Sequence, residues 1–267
     1  MAFMKHPAWQ KEWQQLLKQE DRYIARHSKP RQPLPTGKLA DAVPANLQAA
    51  LDSAFTKAFE LVFEKGTRVI EKSYKKAEHL DGYKVRRYAA LLRPDKKSLR
   101  AFTRQARSLK NKNLLISGAE RAGLGLLGVG LLEIPLFISL LLKSIYEVSL
   151  SFGFAYDSRQ EQYFILRLVE TALCSGDSMN EQDAAVNTLI YQTTRGQAQV
   201  PDLKEQTRRT AQALSKQLLF LKFIQGIPLV GAAGGIGNMF FLQQITGYAA
   251  LKYHRRFLLR AKSTGTA

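Results

Sequence analysis

Apolar residues return at three- and four-residue spacing along most of this chain. Trp9, Trp13, Leu16, Leu17 and Ile24 fall near one face of a helix over residues 7–26. Ala54, Phe55, Ala58, Phe59, Val62 and Phe63 repeat in the same way, and Ala211, Leu214, Leu218 and Leu221 form another stripe. Leu99, Phe102, Ala106 and Leu109 mark one face of a helix over residues 94–111, with Arg93, Lys97, Arg100, Arg104 and Arg107 in an arc on the other. Ser158 to Glu161 has the pattern of a capping box, opening an apolar run from Tyr163 to Leu173 that Gly176 closes. Ser178 to Glu181 repeats the pattern at the next helix start. No sustained alternation with period two appears, so the expected fold is all-α.

Proline divides the chain. Pro30, Pro33, Pro35 and Pro44 crowd residues 28–45, which read as an extended linker. Pro94, Pro135, Pro201 and Pro228 fall where helices start, stop or bend. The expected organisation is an N-terminal helix on a Pro-rich arm over 1–45, one multi-helix domain over 46–262 and a short tail over 263–267. The arm makes the first helix read as an appendage.

Two glycine-rich apolar segments sit at the centre of that domain. The first, residues 122–142, holds Gly123, Gly125, Gly128 and Gly130 and a single charge, Glu133. The second, from Phe223 to Leu251, has no charged residue and contains Gly231, Gly234, Gly235 and Gly237. Both are long enough to span a bilayer. The 13 Leu, Ile, Phe and Val residues of the first favour insertion by roughly 4–8 kcal/mol, and a central acid opposes it by about 2.5 kcal/mol or more. Glycines on one helix face also let a second backbone approach closely, in water-soluble cores as in lipid. Charged flanks and a mean hydropathy of −0.22 favour a buried core. Glu133 and Asn238 would then be buried polar groups in need of partners. Gly123 to Gly128 matches the dinucleotide-binding glycine pattern, but no strand precedes it, so no nucleotide site is expected.

Charge changes the picture. The 267 residues carry 40 Lys and Arg against 22 Asp and Glu, a net charge of +18. Residues 84–112 hold eleven basic side chains and only Asp95; residues 204–267 hold ten and only Glu205. Such a balance points to an anionic partner. Lys252, Arg255 and Arg256 extend the basic set toward the C-terminus. One cysteine, Cys174, excludes a disulfide framework and fits a reducing compartment.

The run from Gly226 through Pro228, Gly231, Gly234, Gly235 and Gly237 to Asn238, followed by an uncharged helix into Ala249 to Phe257, resembles the C-terminal signature of the EcsC family. The middle is similar as well: a glycine-rich run, Glu133 two residues before Pro135, a Leu-rich helix to Tyr146 and Glu147, then Gly153 and Phe154. Phe152 stands before Gly153 where the family pattern has Tyr. The resemblance covers residues 70–262 and leaves the N-terminal arm outside. It implies a bacterial protein on the cytoplasmic side, linked to a membrane process, since the family is named for a protein encoded beside an ABC transporter. It carries over no catalytic residue.

Catalytic motifs are sparse. His6, His27, His79 and His254 have no partner at metal-ligand spacing, so no metal or cofactor is expected. Cys174 reads as an inert thiol, and Glu133, Glu147 and Glu170 as structural carboxylates. The expected function is peripheral docking on an anionic membrane surface at the inner face of the cell membrane. Arg93, Lys97, Arg100, Arg104, Arg107, Lys252, Arg255 and Arg256 would meet the lipid. A membrane protein is a second expected partner. Nucleic-acid binding ranks behind, on the Arg and aromatic residues interleaved at Tyr83 to Tyr88 and Tyr253 to Phe257. A hydrolase with a core site near Glu133 and Asn238 ranks last.

Overall fold

The computed structural model describes residues 7–29, 45–66, 76–92, 97, 100–109, 133–197, 202–224 and 234–263. Its elements are α1 (Pro7–His27), α2 (Ala45–Leu61, widening into a π-turn over Val62–Gly66), α3 (Lys76–Leu92), α4 (100–109) and α5 (Glu133–Ser151). They continue as α6 (Arg159–Ala172), α7 (Asp177–Thr194), α8 (Leu203–Ile224) and α9 (Gly234–Ser263). The chain is a single all-α domain, with no strand among the described residues.

Helix α5 is the hub. It packs against α2, α3 and α9, and Ile138, Leu141, Leu142, Ile145 and Leu150 have no exposed surface. Among the described residues it is the one helix long and apolar enough to cross a membrane, with a mean hydropathy of 1.4 over Ile134–Ser151, yet 72% of that stretch is buried within the protein. A helix apolar on most sides suits the centre of a helical stack as well as a bilayer. Around it, α8 bridges α2 and α6, while α9 runs along α5, α6 and α7.

Helix α1 is not an appendage. Its stripe joins the common core, with Leu16 fully buried and Trp9 6% exposed, and the helix lies on α9 and α7. An apolar face of that width needs cover, and α9 supplies it.

Of the two capping patterns, one forms. Ser158 accepts from the Glu161 amide at the start of α6, but the Glu161 carboxylate turns inward instead of reaching back. The Ser158→Ala variant is expected to lose about 1 kcal/mol in urea unfolding. At α7 the cap residue is Gly176, with φ 63° and no side-chain bond, and Ser178 Oγ donates back to the Ser175 carbonyl. A backbone conformation that favours glycine thus places the cap two residues ahead of the expected Ser178.

Candidate functional site

One face of α9 presents Gln244, Gly247, Leu251 and His254 at helical spacing. Opposite stand Thr103, Ala106 and Arg107 of α4, and Gln19, Arg22, Tyr23 and Arg26 of α1. Between the three helices lies a cavity of about 620 Å³. Its mouth gathers Arg22, Arg26 and Lys29 from the end of α1 with Arg107 from α4. All four are exposed, and none pairs with an acid among the described residues. Asp21 is an exposed acid on the same turn of α1. Phe240, 52% exposed, also lies at this mouth.

Buried polar groups lie beneath this cleft. His254 is 3% exposed and stacks on Phe152, with centroids 5.5 Å apart. Its Nε2 lies 3.8 Å from Glu12 Oε1, beyond hydrogen-bond range, and neither ring nitrogen has a hydrogen-bond partner. Burial lowers its pKa to about 4, so the ring is neutral at pH 7, with one nitrogen a donor and the other an acceptor. Thr103 Oγ1 and Gln244 Oε1 are likewise buried without a partner. Gln244 spends its amide nitrogen on the Ala172 carbonyl, while its own backbone carbonyl accepts from Tyr23 Oη at 3.1 Å.

The C-terminal cations expected at a lipid surface are instead inside the fold. Lys252 has no exposed surface; its Nζ lies 2.9 Å from Glu20 Oε1 and 2.8 Å from Asp183 Oδ1, and donates to Asn187 Oδ1 at 2.9 Å. Arg255 grips Glu20 in a two-pronged pair and sits over the Trp13 ring. Arg256, 9% exposed, donates to both oxygens of Glu161, at 2.8 and 2.7 Å. Tyr248 donates to Asp183 and Tyr253 to Glu161, each at 2.7 Å. Burial and the neighbouring carboxylates hold both phenols well above their ordinary pKa, as protonated donors. Acids distant in sequence neutralise these cations, so their role is internal. The aromatic residues Tyr253 and Phe257 are buried too, which removes one of the two stretches that motivated nucleic-acid binding.

Helix α4 keeps the expected division of faces. Phe102, Ala106 and Leu109 are buried, while Lys97, Arg104 and Arg107 are exposed. Arg100 turns sideways to Gln15 and Glu12, tying α4 to α1. Arg93, Gly123, Gly125, Gly128, Gly130 and Gly231 lie outside the described residues. Gly234, Gly235, Gly237 and Asn238 fall in the first turns of α9 and Glu133 opens α5, but the surroundings of their side chains lie outside the description. The cationic C-terminal end of α1, the buried His254 and the unpartnered buried atoms of Thr103 and Gln244 were not expected. A histidine four positions from Ala250 and ten from Gln244 was the available signal.

A model of the EcsC protein family matches residues 8–258. The chain belongs to the EcsC family. The match begins within α1, so the family's extent reaches well N-terminal of residue 70 and takes in the docked first helix. Among curated proteins, the chain is similar to "Protein EcsC" of Bacillus subtilis (strain 168), 26% identical over 146 residues. The alignment covers 54% of this chain and 58% of that protein. No solved structure matches the chain. Among the described residues of this EcsC-family domain, no cluster of three or more His, Cys, Asp or Glu could hold a metal ion. Cys174 is half-buried, and burial together with Glu170 raises its thiol pKa, which favours an unreactive thiol. Glu170 is engaged by Arg167, Arg209 and Gln206, whereas Glu147 lies 3.9 Å from His79.

Proposed function

We propose that this EcsC-family protein is a peripheral membrane protein that docks on anionic lipid at the cytoplasmic face. The observation that carries this reading is the convergence of Arg22, Arg26, Lys29 and Arg107, from two helices far apart in sequence, around one mouth. Arg104 is exposed on α4 as well, and Lys97, ahead of that helix, is also exposed. The contrast with the interior matters. Lys252, Arg255 and Arg256 are matched by Glu20, Asp183 and Glu161, whereas the mouth cations meet no such acids among the described residues. Each such cation near an anionic leaflet contributes roughly 1 kcal/mol, and Phe240 supplies an aromatic ring suited to the headgroup level. A membrane protein would then be met while the domain sits on the surface.

Vesicle flotation at low salt tests the reading. Vesicles rich in anionic lipid should recover the protein, and zwitterionic vesicles should not. At about 1 M salt, where the screening length falls to about 3 Å, recovery should be lost. The Arg104→Gln/Arg107→Gln variant should partition on the order of 30-fold less, from the loss of about 2 kcal/mol. Equal recovery on both vesicle types would defeat the proposal.

A further inference from the structure

We propose that the cleft between α1, α4 and α9 takes up one acyl chain of an anionic lipid, with the chain along α9 and the charged head among the cations of the mouth. The inference rests on the docking reading and deepens it, by naming what enters the cleft from the bilayer. The surface a ligand can reach there is mainly apolar. Phe240 is 52% exposed, Gly247, Ala250 and Leu251 are half-buried, and all four line the cleft. From Phe240 to Leu251 they mark one stripe on α9, about 16 Å long. Glycine and alanine in that stripe leave room beside the helix, and at about 620 Å³ the cleft has the size of a ligand pocket.

The order of charge along the cleft sets the direction of the ligand. Glu20 meets Lys252 and Arg255, whereas Tyr23 bonds the Gln244 carbonyl, so α1 runs antiparallel to α9. Arg26 and Lys29, further along the chain, therefore lie toward the Phe240 end. Beyond them the apolar stripe continues to Leu251. An amphiphile with one anionic end and one hydrocarbon end matches that order. Guanidinium forks suit the oxygens of its phosphate, and each methylene that leaves water adds to binding. The polar atoms beneath, on His254, Thr103 and Gln244, are closed to solvent already, so a chain laid over them takes no polar group from water. A second copy of this protein suits the cleft less well, because with a net charge of +18 it would bring like charge to the same cations.

Titration calorimetry of the full chain, below the concentration at which micelles form, compares dodecyl phosphate, butyl phosphate and dodecylphosphocholine. Dodecyl phosphate should bind about 100-fold or more tighter than butyl phosphate, from the methylenes the groove covers. It should also bind about tenfold tighter than the zwitterionic dodecylphosphocholine, from the cations of the mouth. Ala250→Phe narrows the groove and should weaken dodecyl phosphate about tenfold while butyl phosphate is unaffected. Phe240→Ser changes an exposed residue, so the variant folds even where Ala250→Phe does not. It should weaken dodecyl phosphate about threefold and leave the urea midpoint in place. Equal binding of dodecyl and butyl phosphate overturns the proposal, as does dodecyl phosphate binding that both variants leave unchanged. Dimerisation in sedimentation that Phe240→Ser abolishes overturns it as well, by putting a second copy in the groove. Flotation on anionic vesicles judges the docking reading separately. Recovery on vesicles without chain-length dependence leaves docking by charge alone and removes the groove. Chain-length dependence without recovery supports the groove and removes the docking reading.

Discussion

Replacing Lys252 with Met is expected to destabilise the domain by about 3–5 kcal/mol in urea unfolding. The ammonium is fully buried and lies within 2.9 Å of Glu20 and 2.8 Å of Asp183. Arg255 is the second cation of this group, so two acids face two cations and the cluster is neutral as built. A methionine fills the volume of the lysine stem but leaves two carboxylates to share Arg255. An uncompensated buried charge costs far more than the intact pair contributes. Typical domains are stable by only about 5–15 kcal/mol, so the variant should unfold at much lower urea. The double variant Lys252→Met/Asp183→Asn should recover a large part of the loss, because it removes the orphaned charge and leaves Tyr248 a neutral oxygen to bond. A single-variant loss under about 1 kcal/mol, or no recovery in the double, would show that the cluster is solvated and that Lys252 does not tie α9 to α1 and α7.

This cluster also marks where sequence reasoning stops. Helical periodicity located the elements, because an apolar stripe is a local property of ten or so residues. The buried faces of α2, α4 and α8 carry the residues their stripes picked out: Phe55 and Phe59, Phe102 and Ala106, Ala211 and Leu214. The fate of a charge is not local. Lys252 and Arg104 look alike in sequence, yet one meets Glu20, 232 residues away, and the other stays in water. Block counts of charge therefore gave the right excess and misplaced Lys252, Arg255 and Arg256. The same reason hid the cavity. Arg22, Thr103 and His254 lie on three helices, and their meeting needs α1 packed against α9, which the Pro-rich arm argued against, with α4 beside them. The glutamate of the Ser158 pattern shows the principle on a smaller scale. Its spacing allowed a bond to its own helix start, and Arg256 offered a stronger one.

The second large effect is expected at Gly153. Two glycines end helices in the same way here. At Gly153 the Phe154 amide donates to Ser149 O at 2.9 Å and the Gly153 amide to Leu150 O at 2.9 Å, with φ 75°. At Gly196 the Gln197 amide donates to Gln192 O at 2.9 Å and the Gly196 amide to Thr193 O at 3.1 Å, with φ 70°. Both are left-handed helix ends that favour glycine. Their surroundings differ. Nothing lies within 4 Å of a Cβ built at Gly196, whereas at Gly153 it would overlap the Tyr83 ring, 2.6 Å from Cε2 and closer to Cζ and Cε1. Tyr83 cannot retreat freely: its ring packs on Phe102 and its hydroxyl accepts from Arg260 at 2.9 Å, while Arg260 also holds the carbonyls of Phe152 and Gly153. Gly196→Ala should therefore lose only the conformational cost, about 1–2 kcal/mol. Gly153→Ala should lose that and a further 1–3 kcal/mol or more from overpacking, and should loosen α3 from α5 and α9. Adding Tyr83→Leu should make the alanine at 153 less costly than it is in the parent, a coupling of about 1 kcal/mol or more. If the two alanine variants unfold at the same urea concentration, the close seat of Tyr83 on Gly153 is not part of the folded state in solution, and the anchoring of α3 must come from its other contacts.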